Sequence, residues 1–211
     1  MASYPIQQNN LAGGFPFREG ECTFEDFLQE IEDGRKADLL DGVIYMASPD
    51  NTDAADLSTW LTVVFGGYAG ARDLGKVFHS RVAYRIGPKR GPEPDIGFVS
   101  KELEATRRRG YIDGPPRMAI EIVSADSVAR DYVQKRAVYE QAGVGEYWIL
   151  DPDEGRVTFL VLQNGRFEPV FPKENIIHCT VVPGFYLDVR WLLGHERPPA
   201  YQVLQQLLGD S

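Results

Sequence analysis

Apolar positions along the chain fall into short runs whose period switches between helical and strand-like, and these switches predict its elements. Thr23 precedes Phe24, Phe27, Leu28 and Ile31, a three- and four-residue spacing that predicts a short helix stopped at Gly34. ADLLDGVIYMAS (37 to 48) reads as a hairpin, with Asp41-Gly42 as a two-residue turn between apolar runs. After a Ser-Pro-Asp-Asn loop, Leu57, Trp60, Leu61, Val64, Phe65 and Tyr68 predict a second helix from about 53 to 72, kinked or cut short by Gly66 and Gly67. A strand is expected over 76 to 86, then a loop, GPKRGPEP (87 to 94), and then the strand EPDIGFVS (93 to 100).

Residues 101 to 117 are charged and end in Gly-Pro-Pro, which predicts a surface excursion. MAIEIVS (118 to 124) is a buried strand, 125 to 143 a helix capped by Asp126 or Ser127 and stopped by Gly143, and EYWILDP (146 to 152) another buried strand. Strand, helix, strand in that order signals a parallel crossover. Beyond it, Arg156 to Leu162 and Phe167 to Phe171 flank Asn164-Gly165 as a second hairpin, expected as antiparallel decoration. VVPGFYLDVRWLL (181 to 193) is apolar with a Pro-Gly break, and 200 to 209 closes as a helix. Residues 1 to 20, rich in Gln, Asn, Gly and Pro, are expected to form a loose arm ahead of one domain spanning 21 to 211. The fold class is α/β: a central mixed sheet flanked by helices, with additional antiparallel hairpins.

Composition narrows this picture little, but charge changes it. At 211 residues, with 43% hydrophobic content, the chain suits one core. Its apolar runs stop short of the ~20 residues a membrane span needs, and no basic start precedes an apolar block, so a cytoplasmic protein without a membrane partner is expected. Cys22 and Cys179 lack metal-ligand spacing and are expected to pack as small apolar residues. The net charge of −9 argues against wholesale binding of nucleic acid, because affinity for phosphate comes from Lys and Arg. Between Arg81 and Arg117 the balance reverses, with nine basic residues against five acidic ones. Arg81, Arg85, Arg107 and Arg108 in this stretch are the candidate substrate contacts; a solvated loop is the plainer reading.

The candidate chemistry lies in two carboxylates on apolar strands. Asp95 opens the strand after Pro94, and Glu121 sits in the middle of a segment too apolar to face solvent. A buried carboxylate needs a partner, and a divalent cation serves two of them at once. Lys135 follows on the next helix, four residues after Asp131 and on the same face. Each residue also has a structural alternative: Asp95 as a turn contact after Pro94, Glu121 in a salt bridge with an arginine such as Arg136, and Lys135 paired with Asp131 on a solvated face.

Four segments, ADLLDGVIY, EPDIGFVS, MAIEIVSADSVARDYVQKRAVYEQAGVGEYWILDP and VVPGFYLDV, resemble the Uma-type family of restriction endonucleases within the PD-(D/E)xK nuclease superfamily. The third is long and specific. The resemblance implies a restriction-endonuclease-like core and a metal-dependent DNA endonuclease. In it Asp95, Glu121 and the backbone carbonyl of Val123 hold Mg²⁺ or Mn²⁺, and Lys135 orients the attacking water or stabilises the phosphorane. Val123 stands where the superfamily commonly has its lysine, and Lys135 matches the lysine or glutamine this family takes from the following helix. Asp38 occupies the position of the family's early glutamate, as a shorter catalytic candidate. Ala54 lies near the place of a histidine often found at the second helix, so that helix is given no catalytic role.

The resemblance further implies DNA, double-stranded, as partner, and cutting of both strands by one site per chain would call for a homodimer. Two other classes compete: a catalytically inactive module on the same fold that binds nucleic acid or protein, and a structural or dimerisation protein whose carboxylates form buried ion pairs. Retention of Asp95, Glu121 and Lys135 together favours the enzyme.

Overall fold

The structure is a computed structural model that describes residues 19–31, 35–49, 51–194 and 196–209. Most of the expected N-terminal arm and the stop at Gly34 lie outside these residues. The first helix, α1 (Phe24–Glu30), starts on a capping box: the Thr23 hydroxyl accepts from the Asp26 N–H at 3.2 Å while Asp26 accepts from the Thr23 N–H at 3.0 Å. Next comes the hairpin β1 (Ala37–Leu40) and β2 (Val43–Met46), paired with Leu40 opposite Val43. Its turn needs left-handed backbone at both central residues, Asp41 at φ 50° and Gly42 at φ 81°.

Helix α2 (Thr52–Ala71) continues through Gly66 and Gly67 and does not end early there. The reason lies across the interface. A Cβ on Gly67 would stand 2.5 Å from Leu204 Cδ2, so the glycine admits the closing helix α5 (Ala200–Gly209) against α2. The strand expected over 76 to 86 divides into β3 (Gly75–His79) and β4 (Ala83–Tyr84), because Ser80 and Arg81 turn the chain with φ of 43° and 55°. β5 (Ile96–Ser100) follows the loop. The excursion contains a 3₁₀ turn, Lys101–Thr106, and β6 (Tyr111–Ile112), which pairs with β4.

The crossover is as expected: β7 (Met118–Ile122), a helix ending in α3 (Arg136–Ala142) with Gly143 at φ 80°, and β8 (Glu146–Asp151) parallel to β7. Ser127 directly precedes the helix, as expected of a cap, and its carbonyl accepts the first helical N–H, from Asp131 at 2.8 Å, while the side chains of both candidates bond elsewhere. Asp126 accepts from the Ser48 and Ser124 hydroxyls, and the Ser127 hydroxyl donates to Asp131. The second hairpin, β9 (Arg156–Gln163) and β10 (Arg166–Val170), is more than decoration, since β9 pairs with β8 and extends the central sheet to the order β10-β9-β8-β7-β5-β3. β11 (Ile176–His178), β12 (Tyr186–Asp188) and α4 (Arg190–Leu193) complete the fold.

Strand alternation sorts the sheet into two covered faces. Ile120, Ile122, Trp148 and Leu150 pack with α2, α4 and α5 in the larger core. Ala119, Val123, Tyr147 and Ile149 face the crossover helix and its Tyr139. Glu121 belongs to this second face by its odd position. Fully burying a side chain such as Ile120 or Ile149 contributes about 1.5–3 kcal/mol, so register is held from both sides. Cys22 and Cys179 are buried free thiols. No helix among the described residues is long and apolar enough to cross a membrane.

Candidate active site

Asp95 and Glu121 share one face of the sheet. Ile96 pairs with Ile120 in the antiparallel ladder of β5 and β7, and one step further along the register sets Asp95 opposite Glu121. The Asp95 side chain is fixed from that neighbour, with Oδ2 accepting from the Ile122 N–H at 2.6 Å. Its other oxygen, Oδ1, receives the Lys36 ammonium.

The β1 hairpin delivers a third carboxylate. Leu39 and Gly91 exchange backbone hydrogen bonds at 3.1 and 2.8 Å, which lays β1 along the segment leading into Asp95. Asp38 then accepts from the Glu93 N–H at 2.8 Å, and the Glu93 carboxylate accepts from the Ala37 N–H at 3.3 Å. The hairpin is strapped to the crossover helix by Ser48 on Asp126 at 3.0 Å and by Gln134 on the Tyr45 hydroxyl at 3.0 Å.

The crossover helix supplies the cations. Its stretch Arg130–Lys135 is a π-helix that runs directly into α3. Lys135 Nζ lies 2.9 Å from Glu121 Oε2, 3.0 Å from Asp38 Oδ2 and 3.7 Å from Asp131 Oδ1, with 2% of its side chain exposed. Arg130 Nε reaches the same Asp38 oxygen at 3.4 Å. Tyr139 donates to Glu121 Oε1 at 2.9 Å, and the Ser127 hydroxyl holds Asp131 Oδ2 at 2.5 Å. Asp131 Oδ1 is buried without a hydrogen-bond partner.

One ammonium cannot neutralise three buried carboxylates equally, and their acidities diverge accordingly. Burial lifts Glu121 to about 8, despite Lys135, and Asp131 to about 6. Burial opposes ionisation of Asp38 as well, but Lys135, then Arg130 and Lys36, hold its carboxyl below the usual range. Glu93, buried beside Asp38, is raised to about 7. Lys135 stays protonated, since its surrounding carboxylates outweigh its burial.

All four expected catalytic residues, Asp38, Asp95, Glu121 and Lys135, line one cleft with Lys36, Arg130, Asp131, Ser124 and Ser127. The alternatives raised for Asp95 and Glu121 are answered in part: Asp95 does bond a strand N–H, and Glu121 has a salt bridge, with Lys135 in place of Arg136. Val123 follows β7 directly, between the lining residues Ile122 and Ser124, with its N–H bonded to the Leu150 carbonyl at 2.7 Å.

The four arginines are not part of this cleft. Arg85 pairs with Glu25 at 2.7 Å and lies over the Phe24 ring, Arg107 lies over Phe78, and Arg108 binds the Ala105 carbonyl and Asp113. Arg81 is exposed on the turn between β3 and β4, whose Ser80 N–H donates to the Asp95 carbonyl at 2.8 Å.

Lys36, Arg130, Glu93 and Tyr139 are the site residues that sequence reasoning missed. Lys36 was legible by alternation, two residues before Asp38, and Tyr139 by its place four residues after Lys135. Arg130 was not, because five residues on an α-helix turn a side chain roughly 140° away from Lys135.

The donors fit a hard divalent cation by kind. Mg²⁺ commonly takes one or two carboxylates and fills its shell with water and phosphate oxygens, and Asp95 and Glu121 are two such groups on paired strands. Among the described residues, no three His, Cys, Asp or Glu side chains stand close enough together to form a cation cluster. Lysines cover the outward oxygens of both acids.

No curated protein matches the chain. Among solved structures, a "putative nuclease belonging to DUF820" from Anabaena variabilis ATCC 29413 superposes with a TM-score of 0.66 at 17% identity, covering 88% of this chain and 98% of its own. That likeness shows a shared fold. The model of the Uma2 family, described as "Putative restriction endonuclease", matches residues 24–190, a span that takes in β1, both acidic strands and the crossover helix, and the chain therefore belongs to that family.

Proposed function

We propose that the protein is a metal-dependent DNA endonuclease of the PD-(D/E)xK kind, hydrolysing phosphodiester bonds at the cleft. The observation that carries this reading is the convergence of Asp95, Glu121 and Asp38 on one face with Lys135 among them. A buried acid–lysine cluster of this density is costly for a purely structural role, where packed apolar residues would serve as well. Family membership and the shared fold point the same way.

In this reading Asp95, Glu121 and the Val123 carbonyl hold Mg²⁺ or Mn²⁺. The ion would polarise the scissile phosphate and lower the pKa of a water. Lys135 positions that water or neutralises charge building on the phosphate, a task suited to a compact ammonium with three donors. Asp38 and Asp131 keep Lys135 protonated and aimed. Arg81, Arg85, Arg107 and Arg108, which lie outside the cleft, would meet the DNA backbone away from the scissile phosphate, and two copies would be needed to cut both strands of a duplex.

The lysines on both acids support one competing reading, a binding module in which catalysis has been lost. Thermal shift with Mg²⁺ or Mn²⁺ and nicking of supercoiled plasmid separate the two. The endonuclease should be stabilised by metal and should nick, with both responses absent in Asp95→Ala and Glu121→Ala. Metal stabilisation without cleavage would favour the binding module, and no response to either would end both metal-based accounts.

A further inference from the structure

Each of the two candidate ligand carboxylates gives one oxygen to a fixed donor of the fold and the other to a lysine. Glu121 has Tyr139 on Oε1 and Lys135 on Oε2; Asp95 has the Ile122 N–H on Oδ2 and Lys36 on Oδ1. The two lysines differ in how firmly they are held. Lys135 is buried among three carboxylates, whereas the Lys36 ammonium is paired with Asp95 and 15% of its side chain is exposed. It stands just ahead of β1, its carbonyl accepting from the Ala47 N–H at 3.1 Å, and lines the cleft.

We propose that Lys36 is an internal counter-cation that occupies the outward oxygen of Asp95 until a divalent ion displaces it, so that it sets the metal concentration at which the cleft loads. The inference rests on the metal-dependent reading above. Asp95 lines the cleft with Asp38, Glu121 and Asp131, and its largely buried negative charge needs a cation beside it. Lys36 supplies that cation as a single charge on a flexible stem. A divalent ion carries twice the charge to the same oxygen, and Lys36 is held there by Asp95 alone, not by the three carboxylates that fix Lys135. Asp38, Glu93, Glu121 and Lys135 are other charged groups it feels, and among the described residues none of them bonds it directly.

The test follows Lys36 itself. Mn²⁺ titration of the full chain by thermal shift establishes whether metal binds. Acetylation of lysines in the same samples, read by mass spectrometry, then reports whether the Lys36 amine is released. Mn²⁺ should raise Lys36 labelling severalfold while Lys135 stays protected, and Asp95→Asn should give the faster labelling without metal. Lys36→Gln should bring the Mn²⁺ midpoint down by about tenfold, the equivalent of about 1.4 kcal/mol. If that variant does not fold, labelling of the wild type still decides. A protein stabilised by Mn²⁺ whose Lys36 labelling is unchanged, or a Lys36→Gln midpoint at or above wild type, overturns the proposal and leaves the metal site standing. Absence of any Mn²⁺ stabilisation in wild type removes the metal reading and this proposal with it.

Discussion

Arg130 and Lys135, five residues apart, meet the same oxygen of Asp38, at 3.4 and 3.0 Å. An α-helix would splay them, but the stretch between them is π-helical, and its i→i+5 hydrogen bonds stack such residues on one face. A wider turn is a less favourable backbone, tolerated here because it brings two cations onto one buried acid.

Removing that acid should therefore be expensive. Asp38→Ala would leave Arg130 and Lys135 with a buried charge surplus, and the expected loss is about 3–5 kcal/mol. Urea unfolding measures it; a loss under about 1 kcal/mol would mean that the π-helical stretch relaxes and releases its cations.

Stability should fall as pH rises through the neutral range. Glu121 is lifted from an ordinary 4.5 to about 8 by burial, so between these values the folded protein holds a proton that the unfolded chain has released. Its contribution is complete below 4.5 and is lost as pH approaches 8. Asp38, held low, acts in the opposite sense and in a different window, its contribution being present above its unfolded pKa and lost in acid. Melting temperatures of wild type and Glu121→Gln from about pH 5 to 8 should diverge in slope, the variant being flatter. Parallel curves would mean that Glu121 is ionised throughout by its lysine.

Lys135→Gln should keep the fold better than Lys135→Ala, because the amide can still donate to Glu121 or Asp38. Plasmid nicking should drop by roughly 100-fold or more in Lys135→Ala, the scale on which an oriented charge acts in a water-poor site, and by less in Lys135→Gln, whose amide the family's pattern admits. Nicking at the wild-type rate in Lys135→Ala would take the lysine out of the reaction.

Tyr139→Phe tests the donor behind Glu121. Loss of the 2.9 Å hydrogen bond to a buried acid should cost about 1–3 kcal/mol in the metal-free protein. It should also weaken Mn²⁺ binding, since the carboxylate is then free to rotate. A variant with unchanged stability and unchanged Mn²⁺ midpoint would show that Lys135 alone positions Glu121.

Periodicity alone sufficed for the crossover, the β1–β2 turn at Asp41-Gly42 and the candidate acids, because each of these is a short-range property: alternation puts Glu121 on a sheet face, and four-residue spacing puts Asp131 beside Lys135. The path of α2 through Gly66 and Gly67 and the joining of β9 to β8 were decided elsewhere in the chain, by Leu204 filling the space at Gly67 and by the partner strand. The same division runs through the site. Lys36 and Asp95 are 59 residues apart and meet only because the hairpin docks along 91 to 93, and Tyr139 reaches Glu121 only because α3 lies on that face of the sheet. Local pattern sets which face a side chain takes; its partner is set by how separate elements pack, where burial makes an unpaired charge too costly to leave alone.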